Sequence, residues 1–387
     1  MNKQNISKIV LAGAFAVLTA VILTADVLNG TLTDPNKLRQ VSGLSDHLIN
    51  NSTFEKFFMN INGTFSGVID MKNYFNNIGI YVTEDRYIMS PSARTSTDYE
   101  VGNVIALKEY LDKKGIDLIY VNQPTKYLDD ESFFEYFGAD TYSNRNADLF
   151  LKRISEAGVN CIDLRDELKN DGMDVKNMFY RTDHHWTTST GLWAAGKIAG
   201  ALNRYSGYDI DLSLYDPEKY TFETYKECWV GEQGTKLSEA FTGRDDYTVV
   251  TPDFPTSFRS SEFEGERSFD GLVLYRTPEE IMSADAYISH HYFYYLLPLI
   301  NNNVDHGKVL MLCDSYAHVC EPFLALGVSE IVPKVLRYTD TKVPEMIESG
   351  DYDTVLICYA QFMIGAHDDE DSSNYEMFNF GIPAATP

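Results

Sequence analysis

The sequence predicts an α/β protein with a mostly parallel sheet flanked by helices, preceded by an N-terminal membrane-anchor helix. Three observations carry that expectation. Short apolar strands alternate with helical segments from about residue 98 to residue 365, the pattern of a parallel sheet wrapped by helices. Hydrophobic residues make up 44% of the 387, enough to build one large core. Finally, residues 9–25 carry no charge and no proline.

That third feature sets the compartment. Lys3 and Lys8 precede the run, and continuing to Leu28 gives about 20 residues, a helix of ~30 Å that matches a bilayer core. Lysines on its N-terminal side favour a cytoplasmic N-terminus, so the rest of the chain is expected outside the cytoplasmic membrane. A cleaved signal peptide is the rival reading, which would leave a secreted protein, but no good A-x-A site follows the apolar stretch. The expected organisation is an anchor over 1–30, a stalk and lead-in hairpin over 31–95, and the main α/β domain over 96–387 with an insertion at about 204–290.

The elements follow in order. An apolar-periodic patch spans 54–65, and 78–89 reads as a hairpin turning at Glu84-Asp85. Residues 100–114 have helical period, and 117–121 form a strand ending at Asn122-Gln123-Pro124. A helix over 147–157 and a strand over 159–164 come next, then an Ala-rich helix over 189–202. The insertion is rich in Tyr, Asp, Glu and Ser and reads as loops and short elements. Beyond it, strands at 308–312, 330–335 and 354–359 alternate with helices at 317–326 and 343–349.

Composition excludes some functions. The chain has 32 basic and 57 acidic residues, a net charge of −25, and no basic stretch, which argues against nucleic-acid binding. Its five cysteines form no C-x-x-C pair, so zinc ribbons and thioredoxin-like chemistry are not expected. Cys161, Cys313 and Cys358 read as small hydrophobes in buried strands.

Two segments carry chemistry. The first is an apolar strand running directly into Asp314-Ser315-Tyr316, with a helix expected after it. A serine there sits at the carboxyl edge of the sheet, where open α/β folds place ligands, and following backbone amides can stabilise an oxyanion. Taken alone, Asp314-Ser315 is more simply a helix cap. The second segment is Tyr180-Arg181-Thr182-Asp183-His184-His185-Trp186. A serine needs a base, and a histidine serves when a carboxylate holds its other nitrogen. In an extended segment Asp183 and His185 share a face and His184 points elsewhere. A metal site is disfavoured, because an adjacent Asp and two His do not easily ligate one ion without distant partners. An Asp-His-His phosphoesterase would need further upstream aspartates on strand ends, and the sequence has no suitable Asp-x-Asp there. His290-His291 reads as part of a half-buried helix; His318, three residues after Ser315, could support the site but is a weaker candidate. The 22 Phe, 26 Tyr and 3 Trp could furnish a sugar-stacking surface, although most aromatics are core.

Together these segments resemble the SGNH-like acetyltransferases, in particular the AlgJ/AlgX alginate O-acetylation proteins and the Firmicutes "DHHW" proteins. Thr182-Asp183-x-His185-Trp186, the Gly/Ala-rich helix from Gly191 and the later strand into Asp314-Ser315 carry the resemblance. Residues 120–126 (Tyr-Val-Asn-Gln-Pro-Thr-Lys), Cys161-Ile-Asp-Leu and residues 80–87 agree with it, for coverage of roughly 70–365. The resemblance implies an SGNH hydrolase-like fold and a triad of Asp183, His185 and Ser315, with the serine last in the chain. It implies a polysaccharide substrate, a membrane-bound O-acyltransferase (MBOAT) as acetyl supplier, and neither a metal nor an organic cofactor. The family's usual glycine before Asp-Ser is Cys313 here, which puts the oxyanion geometry in question. Lys126, Arg181, Gln361 and Tyr316 are the candidates for substrate or oxyanion contacts. The expected function is extracytoplasmic O-acetyl transfer to a cell-surface or secreted polysaccharide through a serine acyl-enzyme. The alternatives are a carbohydrate esterase (deacetylase) with the same triad, and a non-catalytic glycan-binding surface protein.

Overall fold

The computed structural model describes residues 80–83, 86–126, 141–283, 294–365 and 374–384, with Thr24 and Asn60. Residues 9–25 apart from Thr24, the 54–65 patch apart from Asn60, and His290-His291 fall outside these. Among the described residues no helix is long and apolar enough to cross a membrane. The chain divides into two compact units. In one, residues 1–74 with 234–243, the Asn60 side-chain oxygen accepts from the Ala240 amide at 3.3 Å. The other comprises residues 75–233 and 244–387 and is described from here on.

Its centre is an eight-stranded sheet. The lead-in hairpin stands apart from that sheet: β1 (Tyr81–Val82) pairs antiparallel with β2 (Ile88–Met89). Helix α1 (Asp98–Asp112) leads into β3 (Asp117–Gln123), and α2 (Ser143–Glu156) into β4 (Asn160–Asp163). After α3 (Leu164–Asn170) and α4 (Thr188–Ser206), β5 (Tyr220–Trp229) pairs with β6 (Asp245–Pro252) as a separate two-stranded sheet. Then come β7 (Phe258–Ser260), β8 (Phe263–Arg267), β9 (Leu299–Asn301), β10 (Lys308–Cys313), β11 (Glu330–Lys334), α5 (Val343–Ser349) and β12 (Thr354–Ala360).

The large sheet runs β4-β3-β12-β10-β11-β9-β7-β8. Its first five strands are parallel; β9, β7 and β8 extend it antiparallel. The mostly parallel α/β fold expected from sequence is what forms. The central strands are continuous apolar runs because the helical layers cover them: Val309–Cys313 and all of β12 are buried. The 204–290 segment differs from the expectation of loops and short elements. It contains the ten-residue β5 and contributes β7 and β8 to the sheet. Most side chains of β5 are exposed, so no buried alternation marks it in the sequence.

The segment after Ser315 also departs from the predicted helix over 317–326. A 3₁₀ turn (Ser315–Val319) comes first, and a short helix (Glu321–Leu324) starts with proline in its first turn. Tyr294 is likewise not helical; it forms an isolated bridge with Val273.

Candidate active site

Parallel strands β3, β12 and β10 end together, so Lys126, Gln361 and Ser315 emerge from one edge of the sheet. Asp183 and His185 arrive there on the turn before α4. Helix α4 is well anchored: the Thr187 hydroxyl caps the Thr190 amide, and Gly207 closes its far end in the left-handed region at φ 69°. Gly191 lets α4 approach the turn after Ser315, since a Cβ there would collide with the Val319 carbonyl.

The geometry brings three side chains into line. His185 Nδ1 lies 2.5 Å from Asp183 Oδ1, and His185 Nε2 lies 2.8 Å from Ser315 Oγ, across 130 residues of sequence. Asp183 is wholly buried. Its Oδ1 also accepts from the His185 amide (2.8 Å), and its Oδ2 accepts from the Glu232 amide (2.7 Å). Burial pushes its pKa up, but the two imidazoles and these hydrogen bonds outweigh that and hold the carboxyl well below the usual carboxylate range. An ionised Asp183 draws the His185 proton to Nδ1 and leaves Nε2 to accept from the serine hydroxyl.

Sequence alone gave no sign of what holds Asp183. Gly231 passes so close that a Cβ would collide with the Asp183 side chain. The Gly231 amide donates to Thr182 Oγ1 at 2.8 Å. Asp245, in β6, accepts from the Thr182 amide (2.8 Å), the Thr182 hydroxyl (2.6 Å) and the Arg181 amide (3.2 Å). These contacts use backbone groups or a lone buried acid, and neither leaves a motif.

The two halves are also laced directly. Trp186 Nε1 donates to the Tyr316 carbonyl (3.0 Å), and the Tyr316 hydroxyl donates to the His184 carbonyl (2.6 Å). Asp314 is a cap, as its sequence context suggested: it accepts from the Tyr316 amide (3.0 Å) and the Ala360 amide (2.6 Å). Burial raises its pKa to about 6 against the pull of those amides.

A cavity of about 260 Å³ opens beside this cluster, lined in part by Ser90, Lys126, His184, Gln233, Tyr316 and Phe362. His184 does not turn away as the extended-segment reading expected. The backbone turns here, so the His184 ring sits 3.9 Å from that of His185 and its Nδ1 lies 3.7 Å from Asp183 Oδ1 and 3.8 Å from Glu232 Oε2. Donor atoms of Asp183, His184 and His185 lie within 4.8 Å of one another.

The other candidates divide. Lys126 reaches the cavity, and its Nζ donates to the carbonyls of Ile88 (2.9 Å) and Arg181 (3.2 Å) and to the Gln233 side-chain oxygen (3.3 Å). Burial lowers its pKa to about 7, against the attraction of Asp183 and Asp245. The Tyr316 ring lines the cavity, but its amide is committed to Asp314 and is no oxyanion donor. Arg181 is a correction: its guanidinium donates to the Arg244 carbonyl (2.9 Å) and the Arg86 carbonyl (3.4 Å), away from the cavity lining. Gln361 is another, because its amide nitrogen is taken by Ser143 (2.7 Å) and Asn144 (2.8 Å). The strand before it places Gln361 at the sheet edge and Arg181 neighbours the Asp-x-His motif, but neither position determines the side chain's partner. His318 is mostly buried against the Tyr294 carbonyl (3.4 Å), and burial lowers its pKa to about 3, so it stays neutral.

The fold is of the SGNH hydrolase-like α/β type. Residues 81–235 match the family described as SGNH hydrolase-like domain, acetyltransferase AlgX. Over that stretch the chain is similar to the SGNH-like acetyltransferases of the AlgX type, the family that the sequence resemblance pointed to. The matched stretch holds Asp183 and His185, and Ser315 lies beyond it. Among solved structures, Bacillus cereus PatB1 is similar with a TM-score of 0.60 at 21% identity, covering 78% of this chain and 99% of that one. The same protein with a sulfonyl adduct gives 0.59 at 19% identity, covering 78% and 99%. A DHHW family protein from Eubacterium siraeum gives 0.56 at 17% identity, covering 77% and 93%. No curated protein sequence matches the chain.

Proposed function

We propose that this protein is an extracytoplasmic O-acetyltransferase that moves acetyl groups onto hydroxyls of a cell-surface or secreted polysaccharide through an acetyl-Ser315 intermediate. The Ser315–His185–Asp183 line, with contacts of 2.8 and 2.5 Å, is the observation that carries the reading. In the first half-reaction Ser315 Oγ attacks the donor acetyl carbon while His185 Nε2 takes the hydroxyl proton. His185 returns that proton to the departing donor oxygen, leaving acetyl-Ser315. In the second, an acceptor hydroxyl gives its proton to His185 and attacks the acetyl group. Ser315 departs and regains the proton. Asp183, ionised and fixed by the Glu232 amide, steadies the imidazolium in both halves.

An external site has no acetyl-CoA, so a membrane-bound O-acyltransferase is the proposed acetyl supplier. The uncharged 9–25 run, flanked by Lys3 and Lys8, supports attachment to the cytoplasmic membrane. An esterase would share the first half-reaction and admit water in the second.

The test is intact-protein mass spectrometry after exposure to 4-nitrophenyl acetate, with and without a glycan acceptor. Wild-type protein should gain one acetyl group and lose it faster when acceptor is added. Ser315→Ala should gain none and release no nitrophenol. Labelling that persists in Ser315→Ala would rule out the covalent route, and discharge indifferent to glycan would make the protein an esterase. Equal loss in His184→Ala and His185→Ala would point instead to shared metal ligation.

A further inference from the structure

Three consecutive residues, Gly231, Glu232 and Gln233, run beside the Thr182-Asp183 segment and form a strap along it. The Gly231 amide donates to the Thr182 hydroxyl oxygen (2.8 Å), and the Glu232 amide donates to Asp183 Oδ2 (2.7 Å). The Gln233 side-chain oxygen accepts from Lys126 Nζ (3.3 Å). The strap is therefore tied to the triad carboxylate at its middle residue, and to the chain just beyond β3 at its last one.

Lys126 also grips the segment that leads into Asp183. Its Nζ donates to the Arg181 carbonyl (3.2 Å), two residues before Asp183, and to the Ile88 carbonyl (2.9 Å) in β2. The Ile88 amide donates in turn to the Arg181 carbonyl (3.0 Å). An ammonium has three N–H groups, and these three oxygens receive them. The Tyr87 ring adds a face, with its centre 4.8 Å from Nζ. Lys126 and Gln233 are both buried. Burying an ammonium is costly, and an unbranched apolar side chain such as methionine fills similar space without desolvating a charge. Packing does not call for lysine here, whereas joining three chain segments through one group does.

We propose that Lys126 is a positioning residue for acyl transfer, a role that rests on Ser315 being the acyl acceptor: it joins the Arg181 carbonyl to Gln233 and so holds the Glu232 amide against Asp183. Asp183 has the imidazole on Oδ1 and the strap on Oδ2. If the strap drifts, the carboxylate is free to rotate, and His185 loses the fixed partner that aims its Nε2 at Ser315. The three Lys126 bonds all go to the scaffold, so its loss should slow the chemical step and leave binding of a small ester nearly untouched.

The experiment uses the full chain and two readouts. One is the kinetics of 4-nitrophenyl acetate hydrolysis. The other is the downfield proton resonance of His185 Nδ1–H in its contact with Asp183, assigned by its absence from His185→Ala. Lys126→Met and Gln233→Leu should each lower kcat about ten- to a hundredfold, with KM changed by no more than about twofold. The double variant should fall no more than about twofold below the worse single one, because both substitutions break one connection. The resonance should move upfield or broaden in all three, while melting stays cooperative. Gln233→Glu keeps the accepting oxygen and should restore most of what Gln233→Leu loses. If Lys126→Met does not fold, the two Gln233 variants carry the test.

A raised KM with unchanged kcat makes Lys126 a substrate contact and overturns the proposal. Losses that multiply in the double variant overturn it too, since the two residues then act separately. So do wild-type kcat in either single variant, a resonance that does not move, and Gln233→Glu behaving no better than Gln233→Leu. Failure of the acyl-enzyme reading looks different: hydrolysis undiminished in Ser315→Ala removes the serine route, while the resonance still reports whether Lys126 holds Asp183.

Discussion

Asp183 and Asp314 are both completely buried, and each borders the same Ser–His contact, yet they are held in opposite ways. Asp183 has an imidazole on one oxygen and an amide on the other, and stays ionised far into acid. Asp314 has two amides and no cation in contact, and burial raises it to about 6. Burial penalises the charged form of both. Adjacent imidazoles that can carry positive charge decide the sign, and two neutral hydrogen bonds do not suffice. Of the two carboxyls beside the serine, only Asp183 contacts the imidazole on which positive charge would develop.

Replacing the charged member gives the largest expected effect. Asp183→Asn keeps the shape but favours the wrong imidazole tautomer, with a loss in kcat that reaches ~10⁴-fold by analogy with serine proteases. Ester hydrolysis measures it, alongside a melting curve to separate misfolding from lost chemistry. A loss below tenfold would mean that Asp183 does not orient His185.

A smaller effect is expected from crowding the same carboxylate while keeping its charge. Gly231→Ala forces a Cβ into the Asp183 side chain, for about 1–3 kcal/mol of destabilisation. It should also shift the carboxylate enough to cost up to about 10²-fold in rate. Wild-type turnover and melting in this variant would show that the Gly231 contact yields freely.

The smallest effect on rate should come from Asp314→Asn, since the cap touches neither Ser315 Oγ nor His185. Its effect belongs to stability. A folded pKa raised to about 6 from an ordinary 3.8 means that the native state binds the proton more tightly. The associated stability is complete below about pH 3.8 and is lost as pH rises through about 6. Asp183 runs the other way, its contribution present above about pH 3.8 and lost as pH falls. Asp314→Asn should therefore flatten the decline in stability between about pH 4 and 6. It should also destabilise by about 1–3 kcal/mol, because an amide group cannot accept from both Tyr316 and Ala360. Denaturant melts across that range measure both effects.

The contrast also explains how much could be read from the sequence. Strands such as Val309–Leu312 and β12 were legible because full burial writes them as unbroken apolar runs. β5 was not, because most of its side chains face solvent. Asp183, His185 and Ser315 were visible because each belongs to a short motif with a chemical reason for its spacing. The Glu232 amide, Gly231 and Asp245 act through backbone or through a contact far along the chain, and no local pattern announces them. Arg181 and Gln361 misled for a related reason. The place of Gln361 follows from the strand before it and that of Arg181 from the neighbouring motif, whereas the direction of each side chain depends on partners, Ser143 for the one and Arg244 for the other.

The order of strands in the large sheet has a consequence for how the protein comes into being. β3 and β4 leave the ribosome early, but β3 meets the rest of the sheet only through β12, more than two hundred residues later. β10, which delivers Ser315, likewise sits between late strands. Such pairings have high contact order, so loop-closure entropy opposes them until nearly the whole domain is available. A chain emerging amino end first passes through a long stage in which Asp183 and His185 exist without their serine. The Ser315–His185 contact is thereby missing from every partial chain and forms only when the middle of the sheet is closed.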